Sequence, residues 1–236
     1  NHYLFDLNRD WAWMTQIESA VRMQQYNLWL PHVHVDFHEQ GINEPYYFPP
    51  AAEPYHEVIT NWQREFQQEI GKNHAGYFDK AGWLYFSKEI FDLLYPSYGD
   101  TYPTYSGSIG MTYEQGGSGR AGLAVITQVG DTLRLSDRVA HHVTTGLSTV
   151  ETSARNADKL VAEYQKFRKQ KDFKYDSYVI KGSNNQIAPL LDLLGKNNID
   201  WQMVSTSTQA VAAKGFHFKT GAQEAFKLEI GDILVS

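Results

Sequence analysis

The stretch VHVDFHEQG at residues 33–41 constrains the fold more than any other part of the chain. Val33, Val35 and Phe37 alternate with His34, Asp36 and His38. Successive side chains of a β-strand point to opposite faces, so the apolar set takes one face and the polar set the other. The pattern predicts a buried strand that delivers His38 at its end, against the turn at Gly41. A histidine held in that way suits a metal ligand or a catalytic base. Asp36 or a backbone carbonyl can then orient its ring through the other nitrogen.

The flanking segments change period. Residues 10–28 carry Trp13, Met14, Ile17, Val21 and Met23 near helical spacing, behind Asp10 as N-cap, and Pro31 closes the run. Residues 41–54, with four prolines, read as a functional loop. Helical spacing returns through Val58, Trp62, Phe66 and Ile70 and is expected to stop at Gly71. A further helix or half-buried segment is predicted at 83–94, and a Tyr- and Gly-rich loop at 95–121. Within that loop, Ile109 to Tyr113 form a short strand ending at Glu114. A strand at 123–127 precedes a long helical pattern from about 132 to 170. Its basic end, KFRKQK, complements the helix dipole and reads as a solvated helix terminus.

Residues 171–174 mark a boundary. Beyond it, YDSYVI, QIAPLLDLLGKNN and IDWQMVS read as strand, helix and strand, the βαβ pattern of a parallel sheet. KGSNN lacks the glycines of a dinucleotide or phosphate loop, so a nucleotide site is not supported. The closing KLEIGDILVS is expected to be a strand that leads into a part beyond the chain.

Composition removes several classes of function. A formal charge of −6 argues against a nucleic-acid or anionic-membrane partner. No apolar run approaches the ~20 residues of a membrane span, and no signal peptide is present. The chain lacks an initiator Met and opens inside a motif, so it is expected to be a fragment. With no cysteine, any zinc must be held by histidine and carboxylate. Aromatic residues make up 14%, many beside Pro, Gly and Asp, as in the lining of a polar groove.

Three sites combine capable residues with sharp local structure. Asn8 and Arg9 sit side by side before a helix. Arginine offers a rigid fork to a carboxylate, and asparagine adds a donor to the same oxygen. His38 ends its strand. Glu114, in GMTYEQGG at 110–117, ends another strand between Tyr and Gly. A carboxylate partly desolvated there can have its pKa raised into the range of a general base.

Taken in order, DLNRDW, VDFHE, the Tyr-rich loop and GMTYEQ resemble the zinc metallocarboxypeptidases of the carboxypeptidase A type, most closely their large bacterial branch. The likeness covers roughly residues 1–165. It implies an α/β fold, part of a mixed twisted sheet flanked by helices. Residues 1–172 would be the C-terminal part of the catalytic domain, and 173–236 an incomplete α/β domain of unknown role. It further implies an extracellular or periplasmic zinc peptidase that removes the C-terminal residue of peptides. By position, Asn8 and Arg9 match the pair that grips the substrate's terminal carboxylate, His38 the third zinc ligand, and Glu114 the catalytic glutamate. Tyr95 or Tyr98 falls where the family has a mobile tyrosine, Tyr95 being preferred.

Two departures stand out. Glu39 follows His38 where animal members carry serine. The HxxE motif that supplies the other two zinc ligands is absent, and His141-His142, on a helical pattern, does not replace it. The chain alone is therefore expected to bind no catalytic zinc and to be inactive. The rival readings are a zinc deacylase of the related branch and a carboxypeptidase-like binding module without catalysis.

Overall fold

The computed structural model describes residues 4–117, 122, 124–171, 173–205 and 212–236. The chain divides into two compact units, Asn1–Gln170 and Lys171–Ser236.

The first unit is built on a mixed four-stranded sheet. Its strands are β1 (Val33–Gln40), β2 (Tyr46–Tyr47), β3 (Tyr85–Phe86) and β4 (Ile109–Gly116), in the order β1-β4-β2-β3. β1 and β4 run parallel over eight register pairs, from Val33 with Ile109 to Gln40 with Gly116. β2 lies antiparallel to β4 and parallel to β3. The odd positions of both long strands face one side, where Ile109, Met111 and Tyr113 pack with Phe66, Ile70 and Phe78. Those three come from α2 (Asn61–Ala81), and α4 (Leu135–Arg155) lies beside it, its Thr149 bonded to Tyr113. On the other side, α1 (Ile17–Trp29) and the chain before it contribute Met23, Trp11 and Met14 to a second cluster.

Several boundaries differ from the sequence reading, each for a visible reason. The first helix begins at Ile17, not at Asp10, which is fully buried. Its carboxylate accepts from the Thr15 and Gln16 amides at 3.0 and 2.9 Å, so it pins the turn entering α1 instead of capping a helix. α2 does not stop at Gly71 but runs to Ala81, begun by a Thr60–Gln63 capping box. A Cβ on Gly71 would stand 2.1 Å from the Pro49 carbonyl oxygen. The glycine marks a close approach of backbones, which sequence alone does not separate from a helix end.

The segment at 83–94 forms no helix: Tyr46 and Phe48 amides bond to the Leu84 and Phe86 carbonyls, which commits it to strand pairing as β3. For the same reason the expected loop at 41–54 contains β2, and Tyr46, Tyr47 and Phe48 are buried. The pattern at 132–170 resolves into β6 (Thr132–Arg134), α4 and α5 (Ala157–Arg168); β6 forms a hairpin with β5 (Ala124–Ile126). A short helix, α3 (Thr101–Tyr105), leads into β4.

The second unit has β7 (Tyr178–Ile180), α6 (Asn184–Lys196) and β8 (Trp201–Met203) in the predicted order. The two strands do not pair with each other, however. β11 (Ile233–Val235) lies between them, antiparallel to both, with Ile233 fully buried. The crossover leaves a one-strand gap that the chain's last segment fills. β9 (Ala212–His217) and β10 (Ala222–Lys227) make a separate hairpin. Among the described residues, no helix is long and apolar enough to cross a membrane.

Candidate active site

The site lies on the even-numbered face of β1 and β4. His38 and Glu114 are register partners, as are Asp36 and Thr112. Register partners on neighbouring strands share a face, with backbones about 4.8 Å apart. All four therefore project to one side, and His38, Thr112 and Glu114 line a cleft of about 370 Å³. Asn8, Arg9, Tyr98 and Asp100 line it too, so the chain before α1 and the chain before α3 close it.

Each of these side chains is held by specific bonds. His38 Nε2 stands 2.7 Å from Asp36 Oδ2 and 3.1 Å from the Asn8 side-chain nitrogen. Asn8 is oriented from behind, its Oδ1 accepting from the Gly99 amide at 2.7 Å. A Cβ on Gly99 would stand 2.2 Å from Asp36 Oδ2 and 3.1 Å from Asn8 Oδ1, so a larger residue here would push both side chains aside. Arg9 lies over the Tyr98 ring at 4.5 Å and pairs with Asp6 at 3.3 Å, with about half of its side chain exposed. Tyr98, not Tyr95, lines the cleft. The Tyr95 hydroxyl accepts from Trp13 Nε1 at 2.7 Å and donates to the Arg9 carbonyl at 3.2 Å.

The electrostatics follow from burial. Glu114 is 8% exposed, and its Oε2 has no hydrogen-bond partner among the described residues. Burial pushes its pKa up to about 7; the Asp36 and Asp100 charges add to the rise and His38 opposes it. The hydrogen bond to Asp36 raises the His38 pKa, and the charges of Asp36, Glu114 and Asp100 raise it further against burial. Asp100, buried beneath the cleft, accepts from Thr112 Oγ1 at 2.8 Å and from Thr101 Oγ1 at 3.1 Å, yet burial still raises its pKa. A carboxyl that takes and releases a proton near neutrality thus faces an imidazole steadied by a second carboxylate. That arrangement can move protons to and from a bound molecule.

The sequence reading did not single out Thr112, Asp100 or Gly99. Thr112 carried a usable signal, since it stands two residues before Glu114 and so shares its face. Asp100 carried none, because only the tertiary fold buries it. His141 and His142 belong elsewhere: they bond Gln115 and Tyr46 from α4, on the opposite side of the sheet.

Zinc fits this set only in part. His38 offers one imidazole to the cleft, and no group of three or more His, Cys, Asp or Glu that could hold a metal forms among the described residues. A catalytic zinc takes three protein ligands, so the described residues would not hold one by themselves. No family model matches the chain, and no curated protein or solved structure matches it either.

Proposed function

We propose that this cleft is the proton-transfer and carboxylate-binding half of a zinc carboxypeptidase-type hydrolase site, with two further zinc ligands supplied from outside these residues. One observation carries the reading: Glu114, nearly buried and with an unpartnered Oε2, is paired in register with His38 in a cleft bordered by Arg9. The joint order of DLNRDW, VDFHE and GMTYEQ supports it independently. β1 is an edge strand among the described residues, so further sheet carrying the remaining ligands has a free edge to join.

In this reading His38 would hold the zinc, which when bound supplies Lewis-acid polarisation of the scissile carbonyl and activation of water. Glu114 takes a proton at Oε2 and returns it to the leaving amine. Its raised pKa suits both steps, because a group near the working pH exchanges protons in either direction. Arg9 receives the substrate's terminal carboxylate, and Asn8, braced by Gly99, keeps its side-chain nitrogen against His38 Nε2. Tyr98, stacked on Arg9, takes the role that the sequence reading gave preferentially to Tyr95.

In the protein with its full ligand set, Glu114→Gln keeps size and polarity but removes the base. The variant is expected to lose at least ~100-fold in kcat with zinc content unchanged. Wild-type turnover in that variant would sink the proposal.

A further inference from the structure

The register pair that follows His38 and Glu114 is Glu39 with Gln115. Alternation along each strand turns that pair to the opposite face of the sheet, away from the cleft and toward α4. α4 holds both members. Arg138 forms an ion pair with Glu39, and His141 Nδ1 stands 2.7 Å from Gln115 Oε1. Arg138 and His141 are three residues apart and so share one face of the helix. Arg138, His141 and Gln115 are 8%, 9% and 3% exposed, so water does not compete for these contacts.

The grip extends to the adjoining positions. The Tyr113 hydroxyl, one residue before Glu114, lies 2.6 Å from Thr149 Oγ1 of α4. His142 hydrogen-bonds the main chain of His38, and its Nδ1 lies 2.8 Å from the Tyr46 hydroxyl. Arg138 also rests on the end of β4, where a Cβ on Gly117 would stand 2.8 Å from its Nε. One helix thus fastens both strands at the residues that flank the front pair.

We propose that Glu39, anchored by Arg138, is a positioning residue: it sets where His38 stands against Glu114, whose own neighbour Gln115 is held by His141. This rests on the hydrolase reading for what the front pair does, whereas the clamp stands on the α4 contacts. Consecutive residues of a strand share a peptide unit, so a displaced Glu39 moves His38 on the other face. Misplacing a reacting group by about 1 Å can cost ~100-fold in rate. A buried ion pair suits such a role, because removing one partner strands the other charge and the geometry is held by both. Glu39 therefore acts on turnover without touching substrate.

The test compares Glu39→Ala, Glu39→Asp and Glu39→Gln with Thr152→Ala, a control at a buried α4 position whose hydroxyl bonds within the helix. In this chain, NMR at one fixed pH reads the ring signal of His38. Glu39→Ala should shift or split that signal, and Glu39→Gln, which keeps the reach to Arg138, should leave it close to wild type. In the protein with its full ligand set, Glu39→Ala should lower kcat at least about tenfold with KM within about twofold. Glu39→Gln should recover most of the loss. Glu39→Asp, one methylene short, should fall between, and it carries the test if the alanine variant does not fold. An equal loss in Thr152→Ala at matched urea midpoint would overturn the inference, as would no recovery in either conservative variant. A raised KM with kcat unchanged would overturn it by placing Glu39 at the substrate. An unmoved His38 signal in Glu39→Ala would overturn it too. Absence of peptidase activity in the wild type would remove the hydrolase reading, and the His38 signal would then decide the clamp alone.

Discussion

His38 and Glu114 occupy the same register pair of two parallel strands, although 75 residues lie between them in the chain. Neither side chain's chemistry is independent of the other. Burial pushes the Glu114 pKa up to about 7, and the charge of His38 limits the rise.

That shift makes stability depend on pH in a defined direction. Between pH 4.5 and about 7 the folded protein holds a proton on Glu114 that the unfolded chain releases, so stability falls as pH rises through this window. His38 acts in the same sense, since its raised pKa gives stability that is full below 6.5 and lost as pH rises through the folded value. Glu114→Gln should therefore flatten the decline, and at pH 8 it should be more stable than wild type by about 1–3 kcal/mol. Urea unfolding at pH 5 and pH 8 checks this; equal slopes for the two proteins would contradict it.

Gly99→Ala should disturb the site from behind. The added methyl would collide with the Asp36 carboxylate that holds His38, and with Asn8. A loss of about 1–3 kcal/mol is expected for such overpacking. The His38 pKa, measured by NMR, should move down toward the ordinary imidazole value as the Asp36 contact loosens. An unchanged titration in the folded variant would mean that this contact does not set the histidine's basicity.

His74 gives stability of the opposite pH dependence. It is fully buried on α2, with Nδ1 2.7 Å from Ser148 Oγ and no partner for Nε2 among the described residues, and burial lowers its pKa to about 3. The unfolded chain takes up a proton near pH 6.5 that the folded one refuses, so stability is lost as pH falls from 6.5 toward 3. His141, lowered to about 4 chiefly by burial, adds to the same loss. His74→Gln should shrink the difference in urea midpoint between pH 6.5 and pH 4. A difference as large as in wild type would assign acid sensitivity to other groups.

What the sequence disclosed follows physical scale. The alternation in β1 was legible because each side chain's facing is decided by its neighbours two residues away. Glu114 at a strand end was legible for the same reason. The length of α2 was not, since Gly71 is explained only by the Pro49 carbonyl against it. The same holds for β3, whose pairing with β2 overrode local preference, and for β11, inserted between two strands that local order suggested were neighbours. At the site, Asn8, Arg9, His38 and Glu114 are legible from their local sequence and from motif order. Asp100 and Gly99 emerged only once the fold had brought the chain before α3 against β1. The choice of Tyr98 over Tyr95 in the cleft likewise depends on which hydroxyl the neighbouring Trp13 and Arg9 backbone engage.

In the proposed function Arg9 grips a terminal carboxylate in front of Glu114. The most direct test compares the affinity of one acylated dipeptide with that of its C-terminal amide, for wild type and for Arg9→Ala. Arg9 is half exposed and shared with Asp6, so a contribution of ~1.4 kcal/mol, about tenfold, is appropriate. Wild type should prefer the free carboxylate by at least about that factor, and Arg9→Ala should bind the two peptides alike. Equal preference in both proteins would remove Arg9 from the substrate site and leave it the partner of Asp6 and Tyr98 alone.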